Sequence, residues 1–147
     1  MGDVAAGVAA AGVLVWLIAL SAFDIRHRRL PNVLTLPGAA VILVAATVVG
    51  HGGPALLGAT ALFAVYVTVH LFSPGALGAG DVKLAIGLGA LTGAYGADVW
   101  VVAALGASLM TGALALCRRL QGAGPDVPHG PSMCLAAGTA LGLAALA

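Results

Sequence analysis

Apolar residues run along this chain in uninterrupted blocks. Stretches such as VAAAGVLVWLIAL, ahead of residue 21, and VILVAATVVG, ending at residue 50, contain no charge at all. Blocks bounded by Gly, Pro or charged residues fall at 4–23, 33–50, 55–73, 82–96, 98–117 and 131–147, and each predicts a helix. A helix closes its own backbone hydrogen bonds, so runs this apolar are most economically read as crossing lipid. The fourth and sixth blocks are short against the ~20 residues that cross ~30 Å of hydrocarbon. They either begin inside the preceding loops or cross a locally thinned site.

Composition agrees with the pattern. Of 147 residues, 61% are hydrophobic and 7% charged, against about 25% charged in soluble domains. A water-soluble fold is excluded on these grounds. The expected fold is an all-α integral membrane protein, a bundle of six transmembrane helices forming one membrane-embedded domain over 1–147. The first block has no basic region or cleavage context of a removable signal peptide, and is read as a retained first span. Cys117 and Cys134 lie outside any CxxC spacing, so they read as free thiols and no metal site is expected.

The net charge of +1 is uninformative, but the placement of the charges is not. Arg26, Arg28 and Arg29 follow the first block, Lys83 lies between the third and fourth, and Arg118 and Arg119 follow the fifth. With six spans these three junctions share one side, which the positive-inside rule makes the cytoplasm, leaving both termini outside. The connections around His51 and around Tyr95–Asp98 hold no Lys or Arg.

Two acids stand out in this topology. Asp24 ends the first span and Asp81 sits at the junction of spans three and four, at the same depth and on the same side. Asp3, Asp98 and Asp126 read as a terminal, an outer-turn and a loop residue. A carboxylate at a span end is costly unless it meets water, a partner or a protein cavity. Asp24 could simply pair with Arg26 or Arg28, and Asp81 with Lys83. Brought face to face, however, two carboxyls tend to share one proton, so one can take a proton from water while the other donates to a scissile carbonyl. Gly78 and Gly80 before Asp81 predict backbone conformations closed to other residues and leave room for an extended substrate strand. The helix terminus at Asp81 predicts that it is the more acidic of the two.

Three separated pieces then resemble the prepilin peptidase family, membrane aspartyl proteases of the GxGD type. They are Asp24 with Arg26 and Leu30-Pro31-Asn32; Gly78-Ala79-Gly80-Asp81-Val82-Lys83-Leu84; and Pro128-His129-Gly130-Pro131. The resemblance covers essentially the whole chain. It implies a membrane endopeptidase that removes, on the cytoplasmic side, the short basic leader of type IV pilin-like precursors. Asp24 and Asp81 carry over as the catalytic acids. Gly78, Gly80, Lys83, Arg26, Pro31 and Asn32 carry over as residues that shape the site or meet substrate. The implied partners are prepilin or pseudopilin precursors and the lipid bilayer of the plasma membrane, with no nucleic acid, no cofactor and no metal.

The chain also departs from the family. The N-terminal region linked to methyl transfer in bifunctional members has no counterpart, so methylation is not expected. His129 stands where an aromatic residue is expected before Gly-Pro. His27 and His129 read as solvated loop histidines, and His70 as facing a neighbouring helix. Gly89-x-x-x-Gly93 and Gly138-x-x-x-Gly142 read as packing positions within the monomer, and Trp16, Trp100 and Tyr95 as packing or interface aromatics. Two other functions fit the same features. One is a non-catalytic membrane transport or assembly subunit whose acids only pair with nearby bases. The other is a GxGD protease with a different membrane substrate.

Overall fold

A computed structural model describes residues 2–124 and 126–147, without the Asp3 side chain. Every regular element among the described residues is a helix. The six are α1 (Gly2–His27), α2 (Asn32–Val48), α3 (Gly52–Phe72), α4 (Ala79–Tyr95), α5 (Ala97–Leu120) and α6 (His129–Leu146). They match the six apolar blocks; α4 and α6 begin a few residues earlier than their blocks, inside the preceding loops, yet remain short. By length and apolarity, three helices rather than six meet the requirement for crossing a membrane: α1 over Val4–His27, α3 and α5. The 17-residue α2 and α4 and the 18-residue α6 rise only about 26 Å at 1.5 Å per residue.

The outward faces show why water is the wrong solvent. Val15, Leu57 and Leu109 on α1, α3 and α5 are each about two-thirds exposed or more, at 67%, 74% and 72%. Contiguous apolar faces of this kind are stable in hydrocarbon and aggregate in water. The chain therefore builds a thin interior, and α4 forms its centre. Eleven positions of α4 are buried, from Asp81 to Gly93, and its backbone packs against α2, α3, α5 and α6.

Close approach explains the glycines of α4. A Cβ at Gly93 would stand 2.8 Å from the Pro54 carbonyl oxygen and 2.9 Å from Gly58 Cα, and Gly58 and Gly89 meet backbone to backbone in the same seam. Trp100 Nε1 closes the seam by donating to the Gly58 carbonyl at 3.0 Å. The Gly89/Gly93 pair thus packs α4 on α3, as its spacing predicts. The second pair behaves differently. Gly138 would make only an ordinary contact with Leu17, at 3.6 Å, and Gly142 faces open space. Trp16 inserts from α1, its ring against Gly38 and Gly87 and its Nε1 donating to the Leu34 carbonyl at 2.9 Å.

Helix ends decide where the acids fall. α1 stops one turn after Asp24. Arg28 adopts a left-handed φ of 50°, its N–H bonding the Asp24 carbonyl at 2.8 Å, and Pro31 then prevents the helix from resuming. Pro31 becomes the N-cap of α2, its carbonyl accepting from the N–H groups of Leu34 and Thr35.

Candidate active site

Three helix termini meet around the two acids: the C-terminal end of α1 and the N-terminal ends of α4 and α6. Asp24 and Asp81 are both buried, at 7% and 9% exposure. The backbones of α1 and α4 do not approach each other, and α6 packs against both. The start of α6 therefore lies between the elements that carry the two carboxyls.

Each carboxylate is held by a backbone N–H at a helix N-terminus. Asp81 is the third residue of α4, and its Oδ2 reaches back to the Gly78 N–H at 3.3 Å, the acid half of a capping arrangement. Asp24 Oδ2 accepts from the Gly130 N–H at 3.1 Å, across 106 residues. Gly130 is the second residue of α6, where N–H groups have no partner within the helix, and Pro131 after it has no N–H to compete. Both donors carry the partial positive charge of a helix terminus, which favours an anion. A Cβ at Gly130 would stand 2.6 Å from Asp24 Oδ2, so only glycine lets the amide and carboxylate meet at this distance.

The acids act on each other through space. Burial first, and then the Asp24 charge, push the Asp81 carboxyl up to about 6, against a smaller opposing effect of the Gly78 N–H. The Asp24 carboxyl is pushed up too, by burial, against the lowering effects of the Gly130 N–H and the Arg28 charge, so the helix terminus alone does not rank the two acids. The terminus does act in the expected direction, but burial outweighs it.

The neighbouring residues fall into place with several corrections. Lys83 does not turn to Asp81; its Nζ donates to Asn32 Oδ1 at 2.8 Å and so ties the start of α2 to α4. Arg26 is exposed at the end of α1, and Pro31 is half-buried in the turn that follows. Gly78 and Gly80 have ordinary backbones, Gly78 at φ −73° and ψ 149° and Gly80 within the first turn of α4, so neither is needed for a special conformation. Gly80 is small for a different reason. A Cβ there would come 3.1 Å from Leu30 Cβ, where the α1–α2 turn presses on α4. Gly78 is exposed, with its missing Cβ 3.4 Å from Asp81 Oδ2, an ordinary contact.

The histidines also differ from expectation. His27 is exposed beside Phe23, but His129 is not a solvated loop residue. It is half-buried as the first residue of α6, with Nε2 2.8 Å from the Tyr66 hydroxyl and Nδ1 2.6 Å from the Thr111 hydroxyl. His70 does not face a neighbouring helix; its Nδ1 donates to the Leu77 carbonyl at 2.7 Å and braces the loop before Gly78. Cys134 is buried while Cys117 is exposed, and both are free thiols. Sequence reasoning missed Gly130, Tyr66 and Thr111 as neighbours of the site. Only the Gly-Pro of the third motif signalled the first of them.

Comparison with known proteins gives one finding. The model of the type IV leader peptidase family matches residues 11–116, a stretch that contains both Asp24 and Asp81 and stops short of Gly130. No curated protein and no solved structure gives a significant match.

Proposed function

The chain belongs to the type IV leader peptidase family, and from that premise we propose that it is a membrane aspartyl endopeptidase with Asp24 and Asp81 as its catalytic pair. The substrate in this reading is a type IV pilin-like precursor, cut between its short basic leader and the apolar segment that follows. The observation that carries it is the pair of buried carboxylates, each bound by a helix-terminal N–H rather than by a basic side chain. Acids kept merely as ion-pair partners would be expected to face Arg26, Arg28 or Lys83. Here Lys83 is engaged with Asn32, which speaks against the transport or assembly alternative.

The chemistry follows from one proton shared between two carboxyls. In this reading Asp81, its carboxyl pushed up by burial and by the Asp24 charge, carries the shared proton, and Asp24, on the α6 terminus, is ionised. Asp24 takes a proton from water as the water oxygen attacks the scissile carbonyl, and Asp81 gives its proton to the carbonyl oxygen. The tetrahedral intermediate collapses when the proton now on Asp24 passes to the departing amine nitrogen, while Asp81 regains its proton from the hydroxyl of the new acid. One water is consumed, both carboxyls return to their starting state, and no covalent intermediate forms.

The topology proposed with this function has six crossings, the fourth beginning just after Asp81. It sets the site on the cytoplasmic side with both termini outside, a reading supported by the placement of the six basic residues under the positive-inside rule. Asp24→Asn and Asp81→Asn should each abolish processing of a co-expressed pilin precursor while the protein still inserts and accumulates. Processing at the normal rate by either variant would remove the pair from the mechanism. Loss of accumulation in both would instead favour a structural role for the acids.

A further inference from the structure

Two hydroxyls from other helices meet the His129 ring. Its Nε2 lies 2.8 Å from Tyr66 Oη on α3, and its Nδ1 lies 2.6 Å from Thr111 Oγ1 on α5. The Tyr66 and His129 rings are 5.6 Å apart and tilted by 34°. A neutral imidazole offers one donor and one acceptor, and a hydroxyl can serve as either, so both contacts can be satisfied at once. Burial holds the ring below its ordinary pKa and so favours this neutral form.

We propose that His129 is a positioning residue for Asp24, clamping the start of α6 to α3 and α5 so that the Gly130 N–H stays on the carboxylate. Two observations carry this. Gly130 follows His129 directly in the first turn of α6, so a shift of one moves the other. The backbones of α3 and α6 do not approach each other, so the Tyr66–His129 hydrogen bond is a polar bridge across that gap. The clamp thus ties the donor of Asp24 to α3 and α5. A phenylalanine at 129 would fill much of the same volume while leaving the Tyr66 and Thr111 hydroxyls without this partner.

The proposal rests on the endopeptidase reading, and its test has an arm that needs no substrate. Full-length protein labelled with carboxyl-13C aspartate and 15N glycine is placed in lipid nanodiscs, and the Asp24 carboxyl and Gly130 amide resonances are followed. His129→Phe is expected to move both signals and to lower kcat on a pilin precursor about tenfold, part of the ~10²-fold that a 1 Å misplacement can cost. KM should stay within about twofold, because the ring does not touch substrate. His129→Gln, which keeps a donor and an acceptor, should recover part of the loss. Thr111→Val, close in shape to the native residue, should shift the same signals less, and it decides the matter if the His129 variants do not accumulate. Unmoved Asp24 and Gly130 signals in the variants that fold would overturn the clamp, whether or not kcat falls. Failure of the wild-type protein to cut pilin precursors would instead overturn the proposed substrate, leaving the resonance test intact.

Discussion

Replacing Gly130 by alanine tests the site at the backbone N–H that holds Asp24. The new Cβ would stand 2.6 Å from Asp24 Oδ2 and 3.1 Å from its Cγ, both closer than carbon and oxygen tolerate without moving. Asp24 is anchored to α1, and Gly130 sits in the packed first turn of α6, so the carboxylate itself must yield. Its 3.1 Å bond to the Gly130 N–H is then lost or lengthened. A hydrogen bond to a charged group contributes about 1.5–3 kcal/mol net, and alanine returns about 0.5–1 kcal/mol through helix preference. Folding stability should therefore fall by about 1–2 kcal/mol, which leaves an inserted protein. Catalysis should suffer more, since a misplacement near 1 Å costs ~10²-fold. The assay is single-turnover cleavage of a pilin precursor in nanodiscs, with thermal stability measured on the same sample. A kcat within twofold of wild type would refute the idea that this amide places the general base.

Other predictions follow from the same geometry. In Asp24→Asn the Asp81 carboxyl should titrate below about 6 yet above 3.8, because burial remains after the charge is removed; 13C carboxyl titration reads this, and an unchanged midpoint would deny the coupling. The pair works while it holds one proton, so kcat/KM should fall as pH rises through the apparent pKa near 6 of Asp81, when both acids become ionised. A profile that keeps rising above pH ~8 would contradict the shared proton. Gly80→Ala, with its Cβ 3.1 Å from Leu30 Cβ, should lose several-fold more activity than Gly78→Ala, whose Cβ would meet Asp81 Oδ2 at 3.4 Å; equal losses would show that Leu30 yields freely. Lys83→Met removes the 2.8 Å bond to Asn32 at an exposed position and should lower stability by no more than about 1 kcal/mol, checked by thermal unfolding.

The helices were legible because apolar blocks and their punctuation record them directly. Every predicted block has a helix, and Arg28 with Pro31 ends α1 in the turn that the LPN segment signals. Crossing number is less direct, since α2, α4 and α6 are short against a bilayer, and length and apolarity together support three spans. Charge placement singled out the two acids as candidates on one side, but their hydrogen-bond partners could not be read. Sequence suggests bonds to nearby Arg or Lys, whereas both carboxylates took backbone N–H groups, donors that no residue type advertises. Gly80 looked like a conformational residue and is a packing one, because only the fold brings Leu30 against it. His129 looked solvated because its motif lies in a polar loop, and the hydroxyls of Tyr66 and Thr111 reach it only through the packing of α3 and α5.

The two carboxylates depend on the fold in unequal ways. Asp81 and its donor Gly78 belong to one helix turn, so their bond survives any motion that leaves the start of α4 intact. Asp24 draws its donor from α6, at the far end of the chain, so its placement is a property of how two helices pack. α1 and α4 do not meet backbone to backbone but through side chains, Trp16 against Gly87 and Leu30 of the α1–α2 turn against Gly80, so α6 is one of the routes that set the separation of the acids. A slide of α6 by one residue would move the Gly130 amide about 1.5 Å, beyond hydrogen-bonding range for a carboxylate held on α1. The acid–base geometry is therefore most sensitive where the local sequence says least, in the first turn of the last helix. Substitutions around His129, Gly130 and Thr111 should alter catalysis at least as strongly as those around the more conspicuous Gly78-Ala79-Gly80 turn.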